Sequence, residues 1–94
     1  MKVEEAVEVL KLHRQKIDGL DERILALLNE RASVALEIGA VKKSAGMPVV
    51  ELSREKAVID GMVSRNSGPL PADAVESIYT AIMLEMRKLQ EPRQ

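Results

Sequence analysis

The sequence has no cysteine, tryptophan or phenylalanine, and Tyr79 is its only aromatic residue. Without cysteine there is no disulfide and no thiolate to act as nucleophile or ligand, which fits a cytoplasmic protein. With no aromatic platform and a net charge of −1, the chain is poorly equipped for nucleic acid. No apolar run reaches the ~20 residues that a membrane-spanning helix needs. The opening MKVEEAVEVL places acids where a secretory signal needs an unbroken apolar centre. A glycine-rich phosphate loop, a cluster with metal-ligand spacing and a Ser/His/Asp or Cys/His set are also missing. The expectation is a protein without metal, cofactor, nucleic-acid partner or membrane anchor.

What is present is aliphatic and charged. Hydrophobic residues make up 46% of the 94 and charged residues 31%, which suits one globular domain covering 1–94. Proline is absent before Pro48, and only Gly19 and Gly39 interrupt the first stretch. Each glycine weakens a helix by roughly 1 kcal/mol relative to alanine without ending it. A first helix is therefore expected over about 3–43. The segment SAGMPVV (44–50) breaks it, and a second helix is expected over 51–66. After the loop NSGPLP (66–71), Pro71 and Asp73 suit the start of a third helix over 72–90, stopping before Pro92. The third helix sets Val75, Ile78, Ile82, Met86 and Leu89 at helical spacing.

Some forty residues of helix span about 60 Å, whereas a compact domain of this size is roughly 30 Å across. Two short helices cannot cover one so long. Its seam runs through Ile17, Leu20, Ile24, Leu27, Arg31, Val34, Ile38 and Val41 in steps of three and four, apolar everywhere but at Arg31. Such a seam calls for a second chain, most simply by two-fold pairing. The expected fold is thus all-α, with three helices per chain, a very long first helix, and an intertwined helical homodimer. A three-helix bundle broken at Gly19 is the competing arrangement.

Arg31 stands in the middle of that seam, where the pattern asks for an aliphatic residue. Its guanidinium stays charged, and leaving it without an anion would cost on the order of several kcal/mol. Lys42, eleven residues on, leaves the same side of the helix with about 20° of offset. Between them Val34, Ala35 and Ile38 offer an apolar floor. Two long cationic arms could close on one small anion there, although either residue alone reads as an ion-pair partner or a solvated charge. Arg14 lies about 25 Å before Arg31 and roughly 100° around the axis, so it could join such a site only from a second chain. Read alone, it is a solvated helix residue.

Glu51, Arg54 and Glu55 cluster at the start of the second helix, where the helix dipole by itself favours carboxylates. Gln90 follows Tyr79, Met83 and Met86 on one side of the third helix and replaces the next apolar residue. Met83 and Met86 read as core filler, and His13 as a surface residue. Cations, an amide and carboxylates can bind and polarise an anion, but they include no evident nucleophile.

In order, Arg14-Gln15-Lys16-Ile17-Asp18, Leu20-Asp21, Leu27-Leu28-Asn29-Glu30-Arg31, Ile38-Gly39, Lys42, Pro48-Val49 and Arg54-Glu55 resemble the all-helical chorismate mutase family. Met86-Arg87-Lys88-Leu89-Gln90 resembles the closing stretch of that family, so the likeness covers almost the whole chain. It implies an intertwined homodimer in which each site takes its N-terminal arginine from the other chain. It also implies the Claisen rearrangement of chorismate to prephenate, the branch step toward phenylalanine and tyrosine. By position, Arg31 and the Arg14 of the second chain would hold the two carboxylates of the substrate. Lys42 and Gln90 would reach the ether oxygen, and Glu55 and Glu51 the ring hydroxyl, with Arg54 beside them. Glu51 stands where the family commonly has Asp. Met86 stands where many members have a Ser that touches a carboxylate. Both departures imply weaker substrate affinity rather than lost chemistry.

Such a one-substrate pericyclic step needs no nucleophile, metal or cofactor, only a compact substrate conformer and donors aimed at growing negative charge. The alternatives are isochorismate–pyruvate lyase on the same scaffold, a non-catalytic mutase-like regulatory domain, and a plain helical dimerisation module. The Glu51, Arg54 and Glu55 cluster favours the mutase over the lyase.

Overall fold

A computed structural model describes residues 1–91; Pro92 and the last two positions of the expected 1–94 domain lie outside the described residues. Three helices follow one another: α1 (Val3–Ala45), α2 (Leu52–Arg65) and α3 (Ala72–Gln90). The described residues include no strand. No helix among them is long and apolar enough to cross a membrane. The helix starts match the sequence expectation to within one residue.

α1 passes through Gly19 and Gly39 without a break, because good helix formers surround both glycines. It also continues two residues beyond the expected end, since Ser44 and Ala45 can still adopt helical angles. What ends it is Gly46, at φ +67°. The Gly46 amide donates to the Lys43 carbonyl at 3.3 Å, and the Met47 amide to the Lys42 carbonyl at 2.8 Å. This pair of bonds is a Schellman motif, which satisfies carbonyls left open at the helix end and reverses the chain. The short segment that follows leads to Glu51, the N-cap of α2, whose side chain makes no capping bond.

The chain divides into two compact units, Met1–Arg31 and a second that begins at Ala32. The first unit is helical from Val3 onward and has no second element to form a core with. Its seam residues Leu10, Ile17, Leu20, Ile24 and Leu27 are between 46% and 62% exposed. A single helix has no means of covering its own apolar stripe.

The second unit holds the end of α1, the connector, α2 and α3. Here α2 packs on α3, and Ala35, Val75, Met83 and Met86 form the buried apolar core among the described residues. Val58, Ile59, Met62 and Val63 of α2 are half-buried. α3 carries two adjacent apolar stripes, and the chain buries the one that runs through Val75, Met83 and Met86 toward Gln90. Ile78, on the other stripe, stays 47% exposed.

Candidate functional site

Among the described residues of the second unit, one cation is buried. Lys42 is 8% exposed, placed on the last turns of α1 just before the Schellman reversal. An ammonium has three N–H donors and no acceptor, and three acceptors surround this one. Its Nζ donates to the Val49 carbonyl at 3.0 Å and to Gln90 Oε1 at 3.0 Å. Glu51 Oε1 completes the set at 2.7 Å. Charge and hydrogen bonding are therefore both satisfied, as burial of a cation requires.

Each partner reaches Lys42 for a local reason. The reversal at Gly46 returns the connector, so that Val49 and Glu51 come back over the helix they have just left. Glu51 spends its carboxylate on Lys42 instead of on its own helix end. Gln90 comes from the end of α3, whose stem lies close against α1 at Gly39. Because the ammonium can only donate, the amide oxygen of Gln90 must face it. The amide NH₂ is then directed elsewhere, and the orientation of Gln90 is set by chemistry as well as by packing.

A cleft of about 440 Å³ opens beside this cluster, with Val34, Ile38, Val41 and Met47 as its apolar wall and Lys42, Glu37 and Glu51 as polar groups. That volume falls within the roughly 300–1,000 Å³ typical of small-molecule sites. The expected apolar floor is thus present in Val34 and Ile38, whereas Ala35 belongs to the core at 3% exposure. A second cleft of about 400 Å³ is lined by Leu36, Ala40, Lys43, Leu89 and Gln90 among others. Met47 lines both. The arrangement can present a cation and two acids, Glu37 and Glu51, to a small, partly apolar molecule.

Glu55 is held from α3: Arg87 Nε donates to Glu55 Oε2 at 3.1 Å and Arg87 Nη2 to Glu55 Oε1 at 3.2 Å. Arg54 is exposed and Arg31 half-buried. Arg14 is exposed on the first unit. Met86 is 7% exposed and packs in the core. His13, exposed, has its ring nitrogen 2.8 Å from the Val9 carbonyl. Of the expected site residues, Lys42, Gln90 and Glu51 are brought into direct contact. Sequence reasoning passed over Arg87 and Val49. Arg87 reads as one more charge on a helix surface, and a backbone carbonyl leaves no trace in the residue pattern. Among the described residues, no group of three or more His, Cys, Asp or Glu could hold a metal ion.

The sequence pattern of the chorismate mutase type II family matches residues 13–91. The bifunctional chorismate mutase/prephenate dehydratase of Aquifex aeolicus is 36% identical over 89 residues, covering 90% of this chain and 25% of that protein. The chain spans about a quarter of the length of such bifunctional relatives. Among solved structures, a chorismate mutase from Thermus thermophilus superposes with a TM-score of 0.87 at 26% identity, over 90% of this chain and 97% of that one. A Helicobacter pylori chorismate mutase in complex with prephenate superposes with a TM-score of 0.81 at 28% identity, over 88% of this chain and 90% of that one.

Proposed function

This chain belongs to the chorismate mutase type II family, and from that premise we propose that it is a cytoplasmic enzyme rearranging chorismate to prephenate on the route to phenylalanine and tyrosine. The observation that carries the reading is the buried Lys42 ammonium, bonded to Gln90 and Glu51, beside an apolar-walled cleft.

In the rearrangement the ether C–O bond breaks as a C–C bond forms, and negative charge grows on the departing oxygen. Lys42 is the donor aimed at that oxygen, with the Gln90 amide as the second. Donors of this kind lower the barrier because they bind the transition state more strongly than the ground state. All three N–H groups of Lys42 have partners within the protein, so the substrate must take the place of one. Glu51 is the partner that yields, its side chain being 43% exposed. Its carboxylate, once released, is free to accept the ring hydroxyl of the substrate. Glu55 stands one helical turn further along α2 and serves the same hydroxyl, with Arg54 beside it.

Arg31 and Arg14 of a second copy hold the two carboxylates. The exposed seam of the first unit supports that pairing, because apolar side chains at these exposures call for cover. The proposed assembly is a homodimer of single-domain chains. Met86 packs where a carboxylate contact is expected in many members of the family, and weaker substrate affinity follows.

The deciding experiment supplies chorismate to the purified protein and follows prephenate. Prephenate formation supports the reading. Pyruvate released from isochorismate instead would reassign the chain to the lyase, and no turnover of either would leave a binding module.

A further inference from the structure

We propose that Gly39 is a positioning residue: it is the notch in α1 that seats Gln90 of α3, so that Lys42 can fix the orientation of the Gln90 amide. The proposal rests on the reading that Lys42 and Gln90 serve the rearrangement. A Cβ placed at residue 39 would lie 3.2 Å from Gln90 Cγ and 3.3 Å from both Cα and Cβ of Gln90. Ordinary carbon contacts sit at about 3.5–4.0 Å. The side-chain stem could turn away from the added methyl group, but the Gln90 Cα moves only if the end of α3 moves with it.

The other helical glycines show the difference. Around Gly61 in α2 a Cβ would meet nothing within 4 Å. Gly39 is the helical glycine in the second unit pressed against another element. Alanine is the stronger helix former, so this position gives up local helix strength for close approach.

Gly39 precedes Lys42 by three residues, which places the two on one face of α1, one turn apart. The same turn therefore holds the stem of Gln90 at one level and its amide oxygen at the next, 3.0 Å from Nζ. Lifting α3 by a few tenths of an ångström stretches that bond and lets the amide rotate. A rotated amide presents its oxygen where a donor is needed. The loss falls on the transition state, where charge has built up, more than on the bound substrate.

The test uses the full chain as Gly39→Ala, Gly61→Ala, Gln90→Ala and the Gly39→Ala/Gln90→Ala double variant. It follows prephenate formation and the side-chain amide resonances of Gln90, assigned by their disappearance in Gln90→Ala. Gly39→Ala is expected to lower kcat about tenfold or more with KM changed less than about threefold. It should also shift the Gln90 amide pair. Gly61→Ala should do none of this. In the Gln90→Ala background, Gly39→Ala should cost less than about twofold further. An unmoved amide pair, or an equal loss of kcat with and without Gln90, overturns the proposal. A parent protein that forms no prephenate defeats the functional reading, and the amide resonances then decide the seating role alone.

Discussion

Arg87 grips Glu55 through two hydrogen bonds, Nε to Oε2 at 3.1 Å and Nη2 to Oε1 at 3.2 Å, joining α3 to α2. The side chains are 28% and 19% exposed, so the pair is sheltered without being fully dry. A fork of this kind gives direction as well as attraction, and it fixes the carboxylate plane of Glu55.

Removing Arg87 should therefore disturb both packing and site. Arg87→Met is expected to lower stability by about 1–2 kcal/mol, measured by urea unfolding, because it leaves Glu55 half-buried without its cation. Arg87→Lys should recover part of the stability but not the two-point grip. A stability equal to the parent in Arg87→Met would show that the bridge contributes nothing.

Lys42 carries the heaviest burden in the proposed chemistry. Lys42→Met keeps the length and the apolar stem while removing the donors. It should lower kcat about a hundredfold to a thousandfold, the range seen when a donor to developing oxyanion charge is lost. Lys42→Arg keeps the charge but should not recover full activity, since a planar fork cannot meet three acceptors placed around a point. Circular dichroism should report the helical content of both variants unchanged.

Gly46 can be tested without touching a polar side chain. Its φ of +67° is unfavourable for any residue with a Cβ. Gly46→Ala should cost about 1 kcal/mol of stability in a denaturant titration. It should also raise KM, because the same turn carries Val49 and Glu51 to Lys42. Gly46→Asn, which tolerates the left-handed region better, should cost less.

The proposed cross-chain site makes a prediction that needs no structure. Arg14→Ala and Arg31→Ala should each be inactive as pure proteins. Refolded together in equal amounts they should recover about a quarter of the parent activity, since half of the dimers are mixed and half of their sites are intact. No recovery would count against the assignment of Arg14 to the neighbouring chain's site.

The helices were legible in the sequence because periodicity and chain breakers agree. Pro48, Pro71 and the glycines punctuate three stretches whose apolar spacing is helical, and boundaries moved by at most two residues. Lys42 and Gln90 were legible for different reasons: Lys42 leaves the same side of α1 as Arg31, and Gln90 replaces the next apolar residue of a stripe on α3. Their contact was not, because it depends on the approach of α3 to α1. That approach is set by the absent side chain at Gly39, which reads in sequence only as a local weakness. Glu51 looks like an ordinary acid at a helix start until the Schellman turn places it over Lys42. The pairing of Arg87 with Glu55 spans two helices whose relative rotation no single-helix pattern contains.

The first unit gives each copy a helix that runs from Val3 to Arg31 and nothing of its own to shelter it. On the proposed pairing, becoming ordered and finding a mate are one event. Dilution is then a denaturant in its own right, acting through mass action rather than through solvent.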